Sequence, residues 1–242
     1  MSYSETMTIR TRDCDCHGHW KPSAIMEALQ EVAIGHCESI GVGRAATDAQ
    51  GVVWVLSRCR VELARTPAWG ETLRVETFAL PVRHLFFPRG HVVYDAEGNA
   101  VAGSLGLWLL LDTRTRRATD NAFVRAHLPH EDREAPAGTP GAVRTMGGEA
   151  VCSEILPQFS EFDLNVHVNN ARYLDWCWNA LGFEGLEGRE IAEFTVNYDR
   201  EVRPGQRVEA SLTCDGDRFA FCGSEGGQRC FAVGGMLRKS PD

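Results

Sequence analysis

The chain repeats itself. Asp15-x-His17-x-His19 followed by a segment of helical periodicity is matched by Asp163-x-Asn165-x-His167 followed by another. Farther on, Val61 to Val75, with Arg65 and a Gly70-Glu71-Thr72 turn, is matched by Val196 to Ala210, with Arg200 and Gly205-Gln206-Arg207. The turn Glu97-Gly98-Asn99 is matched by Glu225-Gly226-Gly227. A duplication of this kind requires each half to build the same supersecondary unit. In each half the order is one long helix and then a run of antiparallel strands, an α+β layer in which the sheet must wrap the helix to bury its apolar stripe. Pro22-Ser23 opens the first helix, Ile25, Met26, Leu29, Ala33, Cys37 and Ile40 form its stripe, and Gly41 closes it. In the second helix the stripe is Tyr173, Trp176, Cys177, Ala180 and Leu181, with Gly182 where a helix would stop. From Val52 to Asp112 the pattern is β, with a hairpin turn at Asp95 to Asn99.

Between the halves, Glu134 to Gly141 is small and rich in Pro and Gly, and reads as a linker. The expected organisation is a first unit over residues 1–128, a connection over 129–150 and a second unit over 151–242. A net charge of −8 argues against general nucleic-acid binding. No apolar run reaches the length of a membrane span, and Met1 to Arg12 lacks a signal-peptide core. Nine cysteines without framework spacing fit reduced thiols and a cytoplasmic location.

Three local patterns imitate sites. Gly41-Val42-Gly43-Arg44 follows a helix where a dinucleotide fingerprint needs a strand, and reads as a helix end. Cys14, Cys16, His17 and His19 lack the distant second pair that structural zinc sites use. Ala102-Gly103-Ser104-Leu105-Gly106 lacks the first Gly and the following helix of a nucleophile elbow. No metal or cofactor is expected.

Asp163, Asn165 and His167 stand at two-residue spacing just before a helix start. On an extended backbone that spacing puts a carboxylate, an amide and an imidazole on one face, beside helix N–H groups that favour an incipient oxyanion. Asp and Asn are also ordinary helix caps, and a His among apolar neighbours is often a hydrogen-bonded core residue, so the spacing by itself leaves a purely structural role open.

The run from Asp163 to Arg172, with Tyr173, resembles the active-site segment of the acyl-acyl carrier protein (acyl-ACP) thioesterases, in which an Asp, an Asn and a His precede a helix opened by Val-Asn-Asn and carrying a Tyr. Looser patterns, Trp54-Val55-Leu56-Ser57-Arg58 and Pro67-Ala68-Trp69-Gly70, extend the resemblance over nearly the whole chain. It implies two tandem hotdog domains and hydrolysis of fatty acyl-ACP, and the absence of a plastid leader implies a bacterial-type enzyme or a chain whose leader has been removed. The family's catalytic Glu falls by position on Glu201, whereas the first half has Thr66 in the matching place. One active site is therefore expected, in the second half, with the first half lending sheet and helix to an apolar cavity.

The resemblance implies Glu201 as base toward water, or as the attacking carboxylate, and His167 as hydrogen-bond partner of the water or departing thiolate. Asn165 would orient water or carbonyl, and Asp163 would hold His167 and Asn165; these roles can be permuted. Plant members carry a Cys after the Glu, where this chain has Val202, and a Gln where it has Val166, expected to point away. The implied partner is acyl carrier protein bearing a fatty acyl chain on phosphopantetheine, docked on Arg58, Arg60, Arg65 and Arg74 or on Arg114, Arg116 and Arg117. No nucleic acid or membrane span enters, and the chain is expected as a monomer or homodimer. Depth among Trp54, Trp108 and Met26 would set chain length. The rival readings are an acyl-CoA thioesterase, a non-catalytic acyl-thioester-binding module and a dehydratase of the same fold.

Overall fold

Two copies of one unit lie edge to edge in a single antiparallel sheet in the computed structural model, which describes residues 1–240. The first half runs β1 (Tyr3–Thr8), α1 (Pro22–Ser39), α2 (Arg44–Ala49), β2 (Val52–Leu63), β3 (Thr72–Ala79), β4 (Phe87–Tyr94), β5 (Ala100–Asp112), β6 (Ala118–Thr119) and α3 (Ala122–His127). The second runs β7 (Val151–Ile155), α4 (Arg172–Leu186), β8 (Arg189–Tyr198), β9 (Val208–Asp215), β10 (Arg218–Glu225) and β11 (Gln228–Lys239).

Strand order is β1-β3-β4-β5-β2-β8-β11-β10-β9-β7, with the short β6 on β5. Read from the middle outward, the two halves are the same list. The middle pair, β2 and β8, runs from Arg58 opposite Asn197 to Glu62 opposite Glu193, centred on Arg60 opposite Thr195. Those two are equivalent residues under the match of Val61 with Val196, so the join is a strand pairing with its own copy about a local two-fold. This is the tandem hotdog, each half a sheet wrapped around a helix.

Both helices bury the face their periodicity marks out: Ile25, Met26, Leu29, Val32 and Ala33 on α1, and Tyr173, Leu174, Trp176, Cys177 and Leu181 on α4. Two elements differ from the sequence expectation. The runs Val52–Leu56 and Arg60–Leu63 are one strand, β2, with a bulge between Leu56 and Arg58. Gly182 kinks α4 instead of ending it: it takes φ 62 and ψ −174, open to glycine, and the helix resumes to Leu186.

The Pro/Gly-rich connection is laid along the sheet. The N–H of Gly138 donates to Glu62 Oε1 at 3.1 Å, the N–H of Val143 to Asn197 Oδ1 at 2.7 Å, and Asn197 Nδ2 to the Gly141 carbonyl at 3.0 Å. Glycine makes the approach possible: a Cβ at Gly103 would overlap the Pro136 carbonyl. Ala137 and Pro140 are buried under this strap. Among the described residues no helix is long and apolar enough to cross a membrane.

Candidate active site

The 163–167 stretch is a tight loop, which corrects the extended reading. The N–H of Asp163 donates to the His167 carbonyl at 2.9 Å and the N–H of Val166 to the Asp163 carbonyl at 3.0 Å, while Phe162 and Val168 bridge antiparallel. Asp163 organises the loop through its side chain, Oδ1 accepting the N–H groups of Asn165 at 2.8 Å and His167 at 3.3 Å. A carboxylate two and four residues ahead of free N–H groups competes with extended pairing, and that competition wins here. Asp163 thus positions Asn165 and His167 by their backbones. The fold also puts Val166 at φ 60, the left-handed region that a β-branched residue disfavours, with its side chain 59% exposed.

The first half repeats the loop. Asp15 Oδ1 accepts the N–H groups of His17 at 2.9 Å and His19 at 3.0 Å, Cys14 bridges Trp20, and Gly18 takes the left-handed position at φ 81. Cys14, Cys16, His17 and His19 all fall in that loop. Among the described residues no group of three His, Cys, Asp or Glu is placed to hold a metal ion.

A backbone bond from the Val168 N–H to the Val202 carbonyl, 2.9 Å, pins the loop beside Glu201. His167 Nε2 then lies 3.0 Å from Glu201 Oε2. A carboxylate only accepts, so Nε2 carries the proton and donates. In the first half the Trp20 N–H bonds the Pro67 carbonyl at 2.8 Å, which sets Thr66 in the place of Glu201.

Glu201 has two further partners that sequence patterns do not reveal. Arg203 Nη2 reaches Oε2 at 3.2 Å, and Arg116, from the turn after β5, contacts Oε1. Arg116 is 85 residues away in the chain, a pairing only the folded structure creates. It is therefore committed to the site. In the other candidate docking cluster, Arg60 pairs with Glu62 and Glu193, Arg65 with Glu71 and Asp95, and Arg74 with Glu76.

The start of α4 is held from several sides. Asn169 Oδ1 accepts the Ala171 N–H at 2.9 Å, the Tyr198 hydroxyl donates to the Asn170 carbonyl at 2.9 Å, and Asn170 Nδ2 donates to Gln30 Oε1 on α1 at 3.0 Å. Tyr173 is buried beneath it, and desolvation pushes its hydroxyl well above the usual phenol range, so it stays protonated.

A cavity of about 670 Å³ runs from this loop into the first half. Asp163, Leu164, Asn165, Asn169 and Asn170 form one part of its wall, and Ile34, Cys37, Trp54, Phe87, Arg89 and Trp108 another. Trp54 and Trp108 line it as expected, but Met26 is packed in the core and does not. His167 and Glu201 pair within the same loop and strand end, outside the wall itself.

The symmetry-related space is closed, a hole of about 10 Å³ among Asp15, His19, Thr66, Trp178 and Leu186. Matching Asp15 to Asp163 sets an offset of 163 − 15 = 148, under which Ile25, Met26, Leu29 and Ala33 correspond to Tyr173, Leu174, Cys177 and Leu181. The same offset sets Gln30 against Trp178. Where α1 presents a Gln and leaves a cavity, α4 presents an indole and fills it.

Comparison with known proteins agrees with this architecture. The profile of the acyl-ACP thioesterase N-terminal domain matches residues 1–122, and that of the C-terminal domain residues 147–228. A chloroplastic acyl-acyl carrier protein hydrolase of Cuphea viscosissima is 24% identical over 240 residues, covering 91% of this chain and 58% of its own length. A chloroplastic palmitoyl-acyl carrier protein thioesterase of Gossypium hirsutum is 26% identical over 213 residues, covering 82% of this chain and 52% of its own length. The chain thus spans about half the length of these curated relatives. Among solved structures, the 12:0-ACP thioesterase of Umbellularia californica shares the fold with a TM-score of 0.90 at 23% identity, covering 99% of this chain and 98% of its own. An acyl-ACP thioesterase of Bacteroides thetaiotaomicron does so with a TM-score of 0.89 at 20% identity, covering 98% of each chain. With both domain profiles matched in order on the two halves of one sheet, the chain belongs to the acyl-ACP thioesterase family.

Proposed function

We propose that the protein hydrolyses fatty acyl-ACP to free fatty acid and holo-ACP, with Asp163, Asn165, His167 and Glu201 as its site. The observation that carries the reading is the 3.0 Å contact between His167 Nε2 and Glu201 Oε2, made beside a loop whose Asp163 and Asn165 wall a cavity large enough for an acyl chain. Glu201 takes a proton from water as the water oxygen attacks the thioester carbonyl carbon. The carbonyl oxygen gains the negative charge, which the Asn165 amide stabilises. Collapse of the tetrahedral species breaks the C–S bond, and the thiolate leaves with the proton returned through Glu201 or His167. Asp163 acts by folding the loop, and the arginines on Glu201 keep its carboxylate in place. Val202, beside Glu201, supplies no thiol, and Cys177 is buried with its thiol pushed well up by desolvation, so neither position offers a thiol nucleophile and we assign that role to water.

Family membership favours the carrier protein over CoA as the thiol carrier. We place the enzyme in the cytoplasm, since all nine cysteines are unpaired. Both halves of the site lie in one chain, so function requires no second copy, and monomer and homodimer serve equally. We divide the chain at 129–150, with the first unit lending the acyl cavity and the second the catalytic groups. The test is release of free fatty acid from one acyl chain carried on ACP and on CoA. Faster release from ACP is expected. Faster release from CoA would make it an acyl-CoA thioesterase, and binding without release would make it an acyl-binding module.

A further inference from the structure

We propose that Arg89 recognises a carboxylate borne by the acyl chain, so that the cavity takes chains functionalised away from the thioester in preference to plain alkyl chains. The nature of the ligand rests on the thioester-hydrolase reading above; the site itself does not.

Arg89 lies on β4 and is 5% exposed. Its Nη1 donates to His36 Nδ1 at 2.9 Å and to Thr77 Oγ1 at 3.2 Å, and its Nη2 to Cys37 Sγ at 3.3 Å. All three acceptors are neutral. Among the described residues no carboxylate comes within 4.0 Å of the guanidinium, although Arg89 is one of the residues lining the cavity, as is its partner Cys37. Burying a cation without an anion is among the costlier arrangements in a protein, and a fold that needed only a tie between α1 and β4 would obtain it from a neutral donor.

The surroundings offer donors and lack acceptors. Because Arg89 donates to His36 Nδ1, the imidazole is neutral with its proton on Nε2, and that buried Nε2 has no acceptor. Trp108 Nε1, on another residue of the cavity wall, is also buried without one. None of the acidic residues of the same cavity pairs with Arg89, and Asp163 is engaged by the N–H groups of Asn165 and His167. Glu31 is exposed, Glu38 accepts the Arg44 N–H at 2.8 Å, and Asp48 is 3.8 Å from the Arg44 guanidinium.

Position agrees with this role. Gln30 contacts Asn170 at the loop end, and His36 and Cys37 follow it on α1 by six and seven residues, about 9–10 Å along the helix. An extended chain covers that distance in about eight bonds. An acyl chain with its carbonyl at the Asn170 end of the loop would carry its second polar group toward Arg89 at medium length.

The experiment measures binding by calorimetry, independently of hydrolysis, using non-hydrolysable acyl-pantetheine amides of about eight to ten carbons with a terminal methyl, hydroxyl or carboxylate. The wild type is expected to bind the carboxylate form about tenfold or more tightly than the methyl form, the gain of a charge-assisted bond. Arg89→Met should abolish that preference and Arg89→Lys retain part of it. Equal or weaker binding of the carboxylate form by the wild type overturns the proposal, as does a preference that survives in Arg89→Met. Equal binding of hydroxyl and carboxylate forms overturns the anionic assignment. Should Arg89→Met fail to fold, the wild-type comparison and Arg89→Lys decide. Failure of hydrolysis with retained carboxylate preference would refute the thioesterase reading alone.

Discussion

Replacing Glu201 by Gln tests the reaction at its centre. Gln keeps the shape and still accepts from His167, so what is removed is the ability to hold a proton. A positioned general base contributes about 10²- to 10⁴-fold, equivalent to about 3–5 kcal/mol of barrier, and that is the expected loss in kcat. The loss should not come from unfolding or from binding. The partners of Glu201 are half-exposed, with side-chain accessibilities of 44% for Arg116 and 60% for Arg203, so their ion pairs stabilise by about 1 kcal/mol or less. A melting point within about 4 °C of wild type follows. Glu201 is absent from the cavity wall, so a non-hydrolysable acyl amide should bind the variant within about threefold of wild type. Product should be read as free fatty acid by chromatography, because Cys16, Cys152 and Cys214 are exposed and would react with a thiol-detecting reagent. A variant that keeps more than a third of wild-type kcat, or whose whole defect lies in KM, would refute Glu201 as the base.

Two further predictions concern stability. Val166→Gly should relieve part of the roughly 1–3 kcal/mol carried by a β-branched residue at positive φ, offset by the roughly 0.4–1 kcal/mol that Gly adds to unfolded-chain entropy. The net is a gain of about 1 kcal/mol in denaturant unfolding, with Gly18 as the natural precedent, and a destabilised variant would show that the loop carries no strain. His36 is pushed down to about 4 by desolvation and then by the Arg89 charge, and His91 to about 3 by the same two causes. Between pH 6.5 and 4 the unfolded chain therefore binds protons that the folded one refuses. Stability should fall as pH falls across that window, by up to about 1.4 kcal/mol per pH unit for each group. His36→Gln should have a shallower pH slope than wild type in urea titrations, and equal slopes would refute the assignment.

Much of this molecule was legible in the chain because it is encoded by short-range pattern. The duplication, the buried stripes of both helices, the turns at Gly98 and at Gly226-Gly227, and the two-residue spacing of Asp163, Asn165 and His167 depend on residue type and spacing, which a sequence displays directly, whereas Glu201 is singled out only by the resemblance to a family pattern. The shape of the 163–167 loop differs from the extended expectation for a local reason: two-residue spacing looks the same on a strand and in a turn, and it is the Asp163 carboxylate gathering N–H groups that decides between them. Other features have no local signature at all. Arg116 meets Glu201 only because β5 delivers its turn to the second half, Gln30 and Trp178 decide which of two equivalent cavities stays open, and Arg89 becomes a buried, anion-free cation only once α1 is packed on the sheet. Those depend on distances between residues remote in sequence, and such distances come into being with tertiary packing.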